Sequence, residues 1–295
     1  MSISNKAMCR NDLPADSFVF DRRRYENSWS KFTTWQSVTP PSRPSTMQLK
    51  ICRQLLSEVD KTSPVAVLGS TLEYRDLLGE MGFIRVFVFE KNRDFYDYIT
   101  PFAKSKLRET HVTGDWLNTF QEYRNYFSVV LSDLTSGNIP YDYRDLFYKN
   151  IAGAISSNGI FIDRILTKSI SFLPLENLVE KYRHLEVNNR NVNSFNCEFL
   201  FCSELLNNKQ HIVDTSSFYK KLRALDISHI SEFAEACHEI TPPECKWWYS
   251  MDWNIERQTY ERYWKPKEIF DELDTSEYFN RAKLLISTKR QKTYD

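Results

Sequence analysis

Glycine is scarce in this chain and unevenly spread. The seven glycines of 295 residues stand at Gly69, Gly79, Gly82, Gly114, Gly137, Gly153 and Gly159, so none precedes position 69 or follows position 159. Glycine serves where a backbone needs positive φ or close approach. The middle of the chain is therefore expected to hold the tight turns, and the flanks to be helical or aromatic. Also missing is any apolar run of about 18 residues, the length a helix needs to cross a bilayer. No transmembrane helix and no membrane partner is expected. The first residues, MSISNKAMCRNDLPADS, lack the apolar stretch of a secretory signal, so a reducing, cytoplasmic location is expected. Neither sign of charge is in excess, with 39 Lys plus Arg against 39 Asp plus Glu. That removes the usual basis for non-specific nucleic-acid binding. None of the six cysteines has a CxxC partner, and Cys237, His238 and Cys245 match no standard zinc spacing. No metal is expected, and Cys197 and Cys202 in the apolar run NCEFLFCSEL read as buried thiols.

What is present is a globular composition, 41% hydrophobic and 26% charged, which excludes a disordered chain. The central stretch alternates short apolar runs with helical periods. Strands are predicted at Val65–Leu68, Arg85–Phe89, Thr110–Thr113, Phe127–Asp133 and Gly159–Asp163. Helices are predicted at Thr46–Val59, Leu72–Gly79, Asn92–Lys104 with a break at Pro101, Tyr143–Ile155 and Leu175–Tyr182. The stretch Asn196–Leu206 fits strand or helix equally, and Ala282–Ser287 reads as a late strand returning after an insertion. Such alternation calls for βαβ crossovers and an α/β fold with a mainly parallel sheet. Continuous apolar strands mean helices on both faces.

In an open parallel sheet the ligand sits beyond the carboxyl ends of the strands. Those ends carry Gly69-Ser70-Thr71, Glu90, Gly114-Asp115-Trp116, Asp133-Leu134 and Asp163. Gly69 removes a side chain, and Ser70 and Thr71 precede a helix N-terminus that favours an anion. Glu90, twenty-one residues beyond Gly69, can accept both hydrogen bonds of a ribose diol. Asp115 can accept from an exocyclic amine, and Trp116 can offer a backbone N–H and an aromatic face. Arg75 reads as an internal ion-pair partner, and Asp163 with Arg164 either as part of the strand-end set or as a surface pair.

In their order, VAVLGSTLEYRDL, VFVFEKN, VTGDW, FSVVLSDLTSG and SSNGIFIDRIL resemble the motifs of class I S-adenosylmethionine (SAM)-dependent methyltransferases, over about residues 64–166. The resemblance implies a Rossmann-like, seven-stranded, mostly parallel sheet with helices on both faces and an antiparallel last strand, which 282–287 would supply. It implies SAM as cofactor. Gly69, Ser70 and Thr71 would lie under the methionine part, and Glu90 would bind the ribose hydroxyls. Asp115 and Trp116 would flank adenine, and Asp133 and Leu134 would line the pocket beside the transferable methyl. The first motif departs from the family's glycine-repeated form, since only Gly69 is present. The (D/N)PP(Y/F) signature of amino-directed DNA enzymes is absent after the fourth strand, so no nucleic-acid substrate is expected.

Four segments follow: a helical N-terminal extension or lid over 1–58, a SAM-binding core over 59–206, an aromatic-rich helical insertion on the substrate side over 207–280, and the last strand and tail over 281–295. Tyr25, Trp29, Phe32 and Trp35 either cover the sheet edge and the pocket mouth or join Trp247, Trp248, Trp253 and Trp264 in walling a substrate pocket. Aromatic walls suit a flat or apolar acceptor and a sulfonium, so a small-molecule or peptide substrate is expected. Arg43 in its proline loop is a candidate for the SAM carboxylate. Asp133 is the candidate catalytic base by position, with Tyr25, Tyr141 and His238 as further candidates. Rival readings are a SAM enzyme of the same fold that does not methylate, a non-catalytic interaction module on that scaffold, and a nicotinamide-dependent oxidoreductase, which the missing GxGxxG disfavours.

Overall fold

The structure, a computed structural model, describes residues 43–167, 173–202, 212–225, 228–240, 246–248, 253–271 and 282–290. The first described helix, α1 (Thr46–Ser57), starts where Ser45 can cap it. The Ser45 hydroxyl accepts from Gln48 N–H at 3.1 Å and the Gln48 side chain accepts from Ser45 N–H at 3.1 Å, a reciprocal capping box. β1 (Val65–Leu68) is buried throughout and runs into α2 (Leu72–Glu80). β2 (Val86–Phe89), α3 (Arg93–Ile99) and β3 (Glu109–Val112) complete the first half. Pro101 ends α3 in a short 3-10 turn, Thr100–Phe102, as the sequence predicts. β4 (Phe127–Asp133), α4 (Tyr141–Ala154) and β5 (Ile155–Leu166) follow.

Seven strands make one sheet in the order β3-β2-β1-β4-β5-β9-β8, with β8 at Trp264–Asp271 and β9 at Ala282–Lys289. The pairings from β3 through to β5 are parallel. β9 runs antiparallel to both β5 and β8. This is the Rossmann-like sheet with a reversed last strand that the motifs imply. Strand alternation sends β1, β4 and β5 side chains to two cores. On one face, Ala66, Leu68, Val130, Phe161 and Ile165 meet α4 and the fully buried Trp264. On the other, Val65, Val67, Val129, Leu131 and Ile162 meet α1 and α2.

A third apolar cluster stands apart from the sheet. It joins α5 (Leu175–Arg183), α6 (Asn189–Cys202), α7 (Thr215–Arg223) and α8 (Ser228–Ile240) around Tyr182, Phe195, Phe199 and Phe233. The ambiguous stretch at 196–206 is thus helical as far as it is described. A small ribbon, β6 (Ile212–Asp214) paired with β7 (Lys246–Trp248), lies against the turn Thr135–Asn138. Helix α9 (Trp253–Tyr260) leads into β8. Strands β1 to β5 fall within 59–206, but helices α5 and α6 pack with the insertion's helices, and β8 inside 207–280 belongs to the sheet.

Candidate functional site

Strand order reverses between β1 and β4, whose crossovers depart to opposite sides, and the crevice at that point lies beyond their carboxyl ends. The chain leaves β1 through Gly69 at φ +76°, a conformation in which a side chain is strained. An added Cβ would stand 3.9 Å from the Trp116 ring, an ordinary contact, so the glycine answers to backbone conformation rather than to crowding. The next two residues tie the rim together. Ser70 Oγ donates to Glu90 Oε2 at 3.4 Å, and Thr71 Oγ1 donates to Asp133 Oδ2 at 3.4 Å. Thr71 occupies the N-cap of α2 but makes no side-chain cap bond, so its hydroxyl leaves the first N–H groups of that helix to other acceptors.

Glu90 continues directly from β2. Its Oε1 accepts from Asn92 N–H at 2.9 Å. Burial pushes its carboxyl above the ordinary 4.5, against the smaller opposing pull of the hydrogen bonds from Asn92 and Ser70. His111, opposite on β3, donates Nε2–H to the Glu90 carbonyl oxygen at 3.1 Å, which leaves Nδ1 to accept from Arg93 at 3.1 Å. Burial lowers the His111 pKa, in keeping with that neutral tautomer. Asp115 caps the following turn through Leu117 N–H at 2.8 Å and meets Lys91 Nζ at 3.3 Å. Each of its oxygens keeps a further lone pair. The Trp116 indole N–H donates to the Phe89 carbonyl at 2.9 Å, which lays the ring along the β1–β2 rim.

Asp133 is more heavily engaged than its sequence position suggests. Arg164, fully buried, donates from Nε to Asp133 Oδ1 at 2.6 Å. The Arg164 carbonyl also accepts from Leu134 N–H at 2.8 Å, and Leu134 holds φ +53°. A non-glycine residue in the left-handed region costs on the order of 1 kcal/mol, and here Arg164 fixes both sides of that turn. The surface pairing considered for Asp163 and Arg164 is overturned. Adjacent residues on a strand with both faces covered point to opposite cores, and both are fully buried. Arg75 makes the expected internal ion pair, with Glu109, and also donates to Thr100.

Two acids, Glu90 and Asp133, therefore converge on one turn, and Asp115 joins the same rim through Lys91. The remaining candidates lie elsewhere. Arg43 pairs with Glu73 in the first turn of α2 at 2.8 Å. Trp253 packs half-buried against Tyr260 on the α4 face, and Trp264 is core. Trp247 is placed by its backbone in β7, beside the turn that follows Asp133. Tyr25 and Trp29, like Phe32 and Trp35, lie outside the described residues, as does Cys245. The roles of Lys91 beside Asp115 and of Arg164 beside Asp133 are not among the sequence expectations. Arg164 had a signal, a cation directly after the acid in an apolar strand.

No protein-family model and no curated protein matches the chain. Among solved structures it is similar to the PH0226 protein of Pyrococcus horikoshii, at 12% identity over 90% of this chain and 99% of that one, with a TM-score of 0.52. It is similar to the same extent to a protein of Rhodobacter sphaeroides described as a Zn-dependent alcohol dehydrogenase, at 14% identity over 90% and 99%, with a TM-score of 0.53. A fainter likeness, too slight to argue from, joins it to the 1,6-didemethyltoxoflavin-N1-methyltransferase of Burkholderia thailandensis, at 9% identity over 94% of each chain, with a TM-score of 0.48. At these identities what is shared is the fold. The chain has a Rossmann-like fold, a seven-stranded and mostly parallel sheet in which β9 is reversed. No helix among the described residues is long and apolar enough to cross a membrane.

Proposed function

We propose that the chain is a SAM-dependent methyltransferase acting on a small-molecule or peptide acceptor without a metal. One observation carries this reading: the Gly69-Ser70-Thr71 turn binds Glu90 and Asp133 at once, at the point where strand order reverses. The residues fit the cofactor. The uncapped N-terminus of α2 offers N–H groups to an amino-acid carboxylate. Glu90, with lone pairs left over, is placed for a ribose diol, and Asp115 for an exocyclic amine. SAM supplies an activated methyl on a good leaving group, so the protein's work is alignment and exclusion of water.

Asp133 then serves better as an orienting acceptor than as a base. Both of its oxygens are already engaged, Oδ1 by the Arg164 ion pair and Oδ2 by the Thr71 hydroxyl. An acceptor whose nucleophile is already deprotonated suits that arrangement. The β6–β7 ribbon carries Trp247 and Trp248 to the turn after Asp133, and this placement supports a flat or apolar acceptor.

Titration calorimetry with S-adenosylhomocysteine tests the cofactor assignment. Micromolar-range binding is expected, and Glu90→Ala and Asp115→Ala should each weaken it about tenfold or more, the scale of a lost hydrogen bond to a charged group. Unchanged affinity in both variants would reject this pocket. Product mass then separates methyl transfer, which leaves S-adenosylhomocysteine, from other SAM chemistries, which leave methylthioadenosine.

A further inference from the structure

The rim of the sheet opposite the candidate site carries its own surface. The stretch Ala103–Arg108 bends at Lys104 and Ser105 and then runs into β3, and exposure alternates along it, with Lys104, Lys106 and Arg108 all exposed. Ser105 and Leu107 turn inward between them, Ser105 against Gly79 of α2. Asp76 fixes the segment by accepting from the backbone N–H groups of Lys104 at 2.8 Å and Ser105 at 2.9 Å. The row is therefore held in place rather than loose. The nearby acids are engaged: Asp76 by those bonds, Glu80 by Arg53, and Glu109 by Arg75. Lys104, Lys106 and Arg108 have no ion-pair partner among the described residues.

Beside the row opens a cleft of about 480 Å³, lined by Gly79, Gly82, Phe83, Ile84, Lys106 and Arg108 among others. Ile84 is 64% exposed, the most exposed large hydrophobic side chain of the described residues. Gly82 leaves open space, since an added Cβ would meet nothing within 4 Å. β3, which continues the row, is the outermost strand on that side of the sheet. Three features thus coincide: a fixed line of free cations, an apolar cleft beside it, and a sheet edge in line with both.

We propose that this rim docks an extended acidic segment of a partner protein, one that sets a single large apolar side chain against Ile84 and pairs alternate carboxylates with Lys106 and Arg108. Side chains on one face of an extended peptide recur every second residue, as the cations do here, and strand addition at β3 would supply main-chain hydrogen bonds. A single-stranded nucleic acid fits less well. It needs rings on which bases stack, whereas the ring lining the cleft, Phe83, is buried with Lys61 Nζ over its face at 4.5 Å. This surface is distinct from the cofactor reading and does not depend on it.

The test is fluorescence anisotropy of the full chain with a labelled ten-residue peptide that alternates Glu and Ser around one central Leu. Saturable micromolar-range binding at physiological salt is expected. It should weaken about tenfold or more in Ile84→Asp, in Lys106→Glu with Arg108→Glu, and when the peptide's Leu is replaced by Ser. Equal affinity for the peptide lacking Leu would reduce the surface to non-specific charge and overturn the proposal. Tighter binding of a ten-nucleotide oligothymidylate than of the peptide would overturn it in favour of a nucleic-acid surface. The altered side chains are exposed, and matching circular dichroism spectra would show that the variants fold.

Discussion

Asp163 shows how far one side chain can depart from what its neighbours in sequence suggest. It is fully buried, and neither carboxyl oxygen has a hydrogen-bond partner among the described residues. Burial raises its pKa to about 7, against the opposing pull of the Ser132 hydroxyl opposite on β4. Glu256 raises it further and Arg144 opposes. An acid whose folded pKa lies above its unfolded value of 3.8 binds more protons folded than unfolded between those two points. Stability should therefore fall as pH rises from about 4 to about 7, by an amount on the order of 4 kcal/mol at most. Asp163→Asn should match the parent near pH 4 and melt higher than it near pH 8. A melting difference that stays constant with pH would reject this account. Glu90 is shifted in the same direction, but its function needs the ionised form, so its pH dependence runs the other way. Its carboxyl lies above 4.5 through burial, so S-adenosylhomocysteine affinity should drop as pH falls through that raised value. In Glu90→Gln the affinity should be weaker and flat across the same range.

Elements were legible where period and punctuation agreed. β4 appears at its predicted bounds, and the helix after Gly69 needed only its end adjusted. Two strands were not fully legible. β8 lies inside the segment expected to be a helical insertion, and it carries Pro266 and several charged residues. An edge strand tolerates both, and Pro266 sits where the β8–β9 register shifts. β5 begins at Ile155, four residues earlier than predicted, because Ser156-Ser157-Asn158 look like a loop. They form an irregularity against β4, where the register jumps between Phe127 and Val129. Gly159 belongs to that irregularity. An added Cβ would approach the backbone oxygens of Ser128 at 2.9 Å and Phe127 at 3.0 Å. Gly159→Ala should cost on the order of 2 kcal/mol in chemical denaturation, and a cost near zero would mean that the strand relaxes freely. The site followed the same division. The strand-end acids could be named from order alone, whereas Arg164 could not be assigned to Asp133, since that pairing depends on which face of β5 each residue takes.

At the scale of the whole molecule, the chain divides its apolar residues between a sheet with helices on both faces and a separate helical cluster of α5 to α8. The two meet the candidate site differently. The sheet supplies Gly69, Glu90 and Asp133, while the inserted segment reaches that rim through the β6–β7 ribbon. Hydrogen exchange with S-adenosylhomocysteine bound should slow amides at 69–72, 90–92 and 134–137, and leave α6 and α8 unchanged. Equal protection throughout would mean that cofactor binding stabilises the molecule as one unit. The packing of the helical cluster was not legible in the sequence, because helices α5 and α6 precede residue 207 and yet find their partners beyond it.

The reversed strand between β5 and β8 has a consequence during synthesis. Among the described residues β9 is the last strand in chain order, and it pairs along β5 from Ile160 to Leu166. While the nascent chain emerges, β1 to β5 can assemble with β5 still offering an open, apolar flank. Whatever shields that flank until residues 282–289 arrive, whether chaperone or transient contact, decides how much newly made protein escapes mispairing with its neighbours.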